Sequence, residues 1–434
     1  MFQLWGEEWL WYHTPRMDKK NYKWLMLAFL FGAYFLEQAT RQVYSATLPQ
    51  IKSDFLGLGV TDAMLGSVGA VFTIVFGLSL VGSGLASDLF GRKRVLLIGV
   101  ILYSLGAIGS GFAQSVGSLM IFYGVINAIG QCCIAPPCYS LISQYHVATR
   151  STAMSIFQSA VYLGIILGSV SAGTMASLGP GRWRWAFWVV GALGLLLVLV
   201  LAFGLHNEIQ CGSDDSTEEK ATVKEAFLAL TRKPTAILIA LAFGMFIYVS
   251  TGIRIWVTTF MVRTFEGVSL SGAALHSVFW QYLGAVIGCN VMARLLDQWG
   301  KKRPRIRLEI SAIGLLLCII PIIFIARVST FVGCAVALGV HGLTMGVYEA
   351  GHYPAMFDCI APRYRSATTG LTGCMAFVMG SMAPLVLGWI SDRSSMREAM
   401  MSLGWFYLAG ALILIPAILW YFRIDFIPNQ EETR

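Results

Sequence analysis

Gly84-Leu-Ala-Ser-Asp88-Leu-Phe-Gly91-Arg92-Lys93-Arg94 lies between two long apolar stretches, and Asp297-Gln-Trp-Gly300-Lys301-Lys302-Arg303 repeats its order about half a chain later. A carboxylate, a glycine and a basic cluster recur with the same internal spacing. A half-length repeat in a hydrophobic chain predicts a transporter assembled from two similar halves. Apolar residues make up 56% of the 434 and charged residues 12%, with a mean hydropathy of +0.68. A chain with so few charges cannot cover a water-exposed surface, so its solvent is a bilayer.

Stretches such as Val95 to Ala113, Trp185 to Leu205, Leu308 to Ala326 and Met400 to Trp420 approach or exceed the roughly 20 apolar residues that cross a hydrocarbon core. Twelve such helices fit between Trp24 and Phe422, with no strand required. The expected fold is all-α and integral to the membrane: six helices over 22–205, a polar linker with a surface helix over 206–234, six more over 235–423, and a short tail over 424–434. Of the 31 Lys and Arg residues, alternate loops hold the large majority, which puts both termini and the linker in the cytoplasm of a cell whose inner membrane the chain spans. That bias accounts for the net charge of +8 without any nucleic-acid role. Residues 1–21 form a cytoplasmic segment too polar to span. Met17-Asp-Lys-Lys reads as an ordinary start, so the tryptophan-rich residues before it are expected to be an upstream extension, or else an interfacial anchor.

No metal-ligand spacing, nucleophile constellation or phosphate loop is visible, so neither an enzyme nor a cofactor is expected. Most of the nine cysteines sit in apolar helices as packing residues, although the adjacent Cys132 and Cys133 could be thiol-reactive. Gly164-Ile-Ile-Leu-Gly168 and Gly284-Ala-Val-Ile-Gly288 allow close helix contact, which generic membrane packing accounts for as well as a contact between the two halves.

The motif at Gly84 to Arg94 resembles the loop between helices two and three of the major facilitator superfamily. Arg150-Ser-Thr-Ala and Arg365-Ser-Ala-Thr resemble its loops before helices five and eleven, and Gly388-Trp-Ile-Ser-Asp392 the end of helix eleven. The resemblance spans nearly the whole chain and implies two pseudo-symmetric six-helix bundles. It also implies a charge network that closes one mouth, drawn from Asp88, Arg92 and Arg150, with Asp297, Arg365 and Asp392 at related positions. Arg41-Gln-Val-Tyr-Ser-Ala-Thr-Leu-Pro49 and Arg182-Trp-Arg-Trp are similar to the anion:cation symporter branch, whose members carry sugar acids and other organic anions. Organophosphate:phosphate antiporters share the Arg-to-Pro spacing and a Pro-Pro-Cys like Pro136-Pro137-Cys138. Thr40 and Gln131 stand where the sugar-acid symporters often have Asp and Glu, and an apolar residue near Leu80 replaces the antiporter lysine, so coupling by the usual residues is not expected.

Two arginines lie inside apolar helices, Arg41 in the first and Arg254 in the seventh, each roughly 26 Å along its helix at the α-helical rise. Guanidinium in lipid is costly, and its donor fork suits a carboxylate, phosphate or sulfate, so both are expected to face a central cavity and bind an anion. Glu37, one turn before Arg41, and Glu349, near His352 in helix ten, are the carboxylates that could carry a coupling proton. With both ionised, Glu37, Arg41, Arg254 and Glu349 sum to zero; a proton on either glutamate leaves the cavity positive and favours a monoanion. Tyr44, Gln131, Tyr162, Trp256, Trp280 and Gln281 offer hydrogen-bonding and stacking groups that would suit a hydroxylated acid. The expectation is a monomeric secondary transporter of a small organic anion, coupled to protons. An organophosphate or inorganic anion exchanger, a neutral-sugar or drug symporter, and a non-transporting nutrient sensor are the alternatives.

Overall fold

Each spanning helix owes its length to an apolar run, and its ends to polar punctuation. In the computed structural model, which describes residues 19–146, 149–205, 223–361 and 364–427, the first six are α1 (Lys19–Asp54), α2 (Asp62–Phe90), α3 (Arg92–Gly111), α4 (Val116–Tyr145), α5 (Arg150–Ser177) and α6 (Trp183–Gly204). The second six are α7 (Pro234–Thr264), α8 (Leu270–Lys302), α9 (Ile306–Arg327), α10 (Phe331–Phe357), α11 (Arg365–Gly380 continued by Met382–Arg393) and α12 (Met396–Asp425). Thr61, Ser269, Thr330 and Ser395 each cap a helix by accepting from a backbone N–H of its first turn, which supplies a partner that lipid cannot. A short helix, Val223–Thr231, stands in the linker; the capping signal at Thr217 falls outside the described residues.

Ten of the twelve are long and apolar enough to cross a membrane on length and composition. The other two, α1 and α8, are 36 and 33 residues long and more polar. Both take part in contacts between the halves, α8 with α5 and α1 with α7, where polar side chains are shielded from lipid. Two helices are broken. α4 carries a π-helical stretch at Met120–Asn127 and a turn at Cys133 and Ile134 ahead of Pro136 and Pro137; α11 is interrupted at Ser381, just before Pro384, whose missing N–H cannot close a helical bond.

The glycine pairs do not join the halves. A side chain at Gly164 or Gly168 would run into Phe35, Gln38 and Ala39 of α1, and one at Gly284 or Gly288 into Gly339 and Leu343 of α10. Both motifs therefore seal helices within a half, because a backbone approach of that kind needs a partner inclined along the same ridge for several turns. The halves instead meet along two seams, α2 with α11 and α5 with α8, and where α1 touches α7. At the α5–α8 seam Ser169 donates to the Ala274 carbonyl, and Gly173 lies against Ala274.

Candidate functional site

The seams are tight at one end only. At the end away from Arg92 to Arg94, Gly66 lies against the Pro384 carbonyl, Gly388 against the Asp62 backbone, and Ser45 of α1 donates to the Arg254 carbonyl of α7. Asp62, 1% exposed, is the hub there. It accepts a bidentate pair from Arg263 across the seam at 2.6 and 2.8 Å, Lys52 at 2.6 Å, and the Ser391 hydroxyl at 2.8 Å. Asp392 in turn accepts the N–H groups of Asp62 and Ala63 at 2.8 and 2.7 Å, so a carboxylate from α11 caps the N-terminus of α2. Towards the basic end the same two helices diverge. Gly77 still packs against Phe377, whereas beside Gly82, Gly84, Gly370 and Gly373 there is open space.

The expected gate therefore needs correcting. Asp392 belongs to the mouth opposite the basic loops. At the basic end, Arg92 bonds Gln144 of its own half at 2.7 Å, and Arg365 bonds the carbonyls of Phe357 and Ile360 in its own half. Asp297 is exposed and pairs with none of the described residues. These charges cannot reach across because the mouth is open. The side chains of Asp88 and Arg150 lie outside the described set.

Just inside the closed end, α1 and α7 present the two arginines. Arg41, 9% exposed, is heavily occupied: Nη2 pairs with Glu37 at 2.9 Å, Nε donates to Gln131 at 3.0 Å, and the guanidinium sits 4.2 Å from the Phe76 ring centroid and 5.6 Å from that of Phe72. Gln131 continues the chain to Asn127 at 2.6 Å, at the end of the π-helical stretch. The Tyr123 hydroxyl donates to the Arg41 carbonyl at 3.2 Å. Arg254 is different. It is partly buried, lies within Coulombic range of Arg41, Glu37, Tyr123 and Tyr282, and its guanidinium bonds none of the described residues. Glu349 is likewise partly buried with no hydrogen-bond or ion-pair partner among them; Tyr162 and Tyr282 feel its charge.

Several expected binding residues are used elsewhere. Trp256 is fully buried and donates to the Pro384 carbonyl at 2.9 Å, which pins α7 to the break in α11. Trp280 is 39% exposed on the far side of α8, bonded to and stacked on His276 beside Phe331, where its amphipathic ring faces the membrane. Gln281 is buried between α8 and α10, 3.4 Å from His341, and Tyr44 donates to the Leu65 carbonyl at 2.7 Å behind Tyr123. His352 is stacked among Phe243, Tyr348 and Tyr353, and only its contact with the Glu349 carbonyl at 3.3 Å relates it to that residue. Helical position alone could not separate these faces. Of the expected groups, Arg41, Gln131, Arg254 and Glu37 are brought together, while Glu349 and Tyr162 lie beside Tyr282, which is also in Coulombic range of Arg254. The Asp62 network, Phe72, Phe76 and Phe377 were missed; their partners are more than a hundred residues away or one helix over, and no local spacing announces them.

Two pseudo-symmetric bundles around a charged passage, sealed at one end, define a multi-pass membrane transporter. The sequence pattern of the Major Facilitator Superfamily matches residues 30–384, and the chain belongs to that family. It is 25% identical over 415 residues to the "Probable sulfoacetate transporter" of Cupriavidus necator, covering 91% of this chain and 92% of that one. It is also 25% identical over 314 residues to the "Probable 4-methylmuconolactone transporter" of Cupriavidus pinatubonensis, covering 70% and 68%. In fold it is similar to the crystal structure of a bacterial homolog of the human lysosomal transporter Spinster in an inward-facing and unoccupied conformation, with a TM-score of 0.84 at 20% identity over 94% of this chain and all of that one.

Proposed function

We propose that the protein moves a small organic monoanion across the inner membrane by alternating access, coupled to protons. The observation that carries this reading is the Arg254 guanidinium, partly buried in the passage with no partner among the described residues, while Arg41 beside it is already neutralised by Glu37. A desolvated cation without a counter-ion is costly, and an anionic cargo removes that cost. The two Cupriavidus relatives are named as probable transporters of 4-methylmuconolactone and of sulfoacetate, which supports an organic anion as cargo.

In this reading the basic loops face the cytoplasm, so the chain is open inward and sealed outward by Asp62, Arg263, Lys52 and Asp392. The two six-helix units rock about the arginine level, and the charges at the basic mouth, Asp88, Arg92 and Arg150 with their counterparts Asp297 and Arg365, pair only when that mouth shuts. Glu349 carries the coupling proton: ionised, it adds a negative charge to the passage that opposes an anion; protonated, it removes that charge and leaves Arg254 to the cargo. Glu37 serves as the fixed counter-ion of Arg41. His352 does not take part, because an aromatic stack holds it away from the cargo.

In proteoliposomes, a panel of organic monoanions applied outside should drive proton entry read by an internal pH dye. Glu349→Gln should abolish anion-driven proton entry while retaining binding, and Arg254→Gln should abolish both. Unchanged proton entry in Glu349→Gln would remove that residue from the coupling scheme.

A further inference from the structure

Near the arginines, rings pair across the seams, one ring from each half. On the α2–α11 seam, Phe76 and Phe377 meet edge to face with centroids 5.2 Å apart; on the α5–α8 seam, Tyr162 and Tyr282 meet at 6.3 Å and a tilt of 55°. Tyr162 and Phe377 follow the internal repeat, each the same interval after Arg150 and Arg365, whereas Tyr282 is offset by three positions from the repeat equivalent of Phe76. Arg41 stands over Phe76, and Arg254 lies in Coulombic range of Tyr282. Each seam therefore carries one ring pair beside one arginine.

Among the described residues, most hydrogen-bonding side chains at this level are already engaged, with Asn127 Nδ2 an exception. Gln131 is spent on Arg41 and Asn127, the Tyr44 hydroxyl on Leu65, and the Tyr162 hydroxyl faces Gln158. A polyhydroxylated cargo would lose its water and find little in return, at a cost of about 1–3 kcal/mol for each unpaired hydroxyl. A flat apolar body would lie against ring faces and keep its charge on Arg254. We propose that the cargo is a monoanion with a planar, unsaturated or aromatic body, gripped between the Phe76–Phe377 and Tyr162–Tyr282 pairs, and that sugar acids are excluded. This rests on the organic-anion reading and narrows it, and it departs from the hydroxylated acid suggested by the sequence.

The test is equilibrium binding to the purified full chain with three probes: benzoate, gluconate as a hydroxyl-rich monoanion, and benzamide as a neutral analogue of benzoate. The inference expects benzoate to stabilise the protein against heat, with gluconate and benzamide far less effective at the same concentration. Phe377→Leu and Phe76→Leu should each weaken benzoate by about fivefold, the scale of one lost ring contact. Phe377 is partly exposed, so its variant decides the matter if Phe76→Leu misfolds. Gluconate binding as tightly as benzoate, no shift with benzoate, or leucine variants indistinguishable from wild type would each overturn the inference. If gluconate binds and Arg254→Gln abolishes that binding, the organic-anion reading stands and only the planar-body inference falls. If benzamide binds as well as benzoate, the organic-anion reading itself falls.

Discussion

Arg263→Ala should unlock the sealed end. Arg263 is the cation that reaches from α7 in the second half to Asp62 of α2 in the first, through two charge-assisted bonds of 2.6 and 2.8 Å. Lys52 lies in the first half with Asp62 and remains 2.6 Å from it, so the variant leaves no unpaired buried carboxylate. The change therefore acts on the equilibrium between conformations more than on folding. Charge-assisted bonds contribute about 1.5–3 kcal/mol each, and Arg263 is 31% exposed, so a net loss of about 2–3 kcal/mol from the sealed state is expected for the pair. At 1.4 kcal/mol per factor of ten, the ratio of unsealed to sealed molecules rises roughly 30- to 150-fold. Spin labels at Leu58 and Ser394, exposed on opposite halves beside this mouth, report the change by pulsed electron resonance. A longer distance component should appear in Arg263→Ala, while a pair at Phe90 and Trp299 near the basic mouth should gain a shorter one. A distance distribution at Leu58 and Ser394 that does not change, in protein that elutes as a single species, would refute the assignment of Asp62 as the hub of the seal.

Glu37→Gln leaves Arg41 buried without its counter-ion and should lower stability by about 3–5 kcal/mol, read as a depressed melting temperature that added organic monoanion partly restores. Gly66→Val should favour the unsealed state, since its side chain would enter the space of the Pro384 carbonyl; overpacking on the order of 1–3 kcal/mol predicts increased labelling of outer-mouth positions by membrane-impermeant reagents. Trp280→Ala should leave anion affinity within about twofold of wild type, because its ring faces the membrane and a lost interface anchor acts on insertion instead.

The charge and hydropathy patterns made the fold legible. A bilayer forces every backbone group into a helix, so apolar runs and basic loops translate directly into spans and their order. The charges inside the spans were legible for the same reason: Arg41, Arg254, Glu37 and Glu349 stand out because the membrane excludes them unless they face a passage. Aromatic and amide side chains carry no such signal. Trp256 and Trp280 look equivalent in sequence, yet one pins α7 to the break in α11 and the other lies against the membrane. The mouth to which Asp392 belongs was not legible for a further reason: a repeat fixes where a motif lies but not which mouth is shut, and the seal at Asp62 joins residues of α1, α2, α7 and α11 that only tertiary packing brings together.

The central claim is that an unpaired guanidinium at Arg254 awaits a negatively charged cargo. The most direct measurement compares the affinities of a carboxylate and its isosteric amide, such as benzoate and benzamide, on wild type and on Arg254→Gln at one pH and salt concentration. The account predicts that wild type prefers the carboxylate by tenfold or more and that the preference disappears in Arg254→Gln, as expected when a charge-assisted bond worth about 1.5–3 kcal/mol is lost. Equal affinity for both on wild type, or a preference that survives in Arg254→Gln, would contradict it.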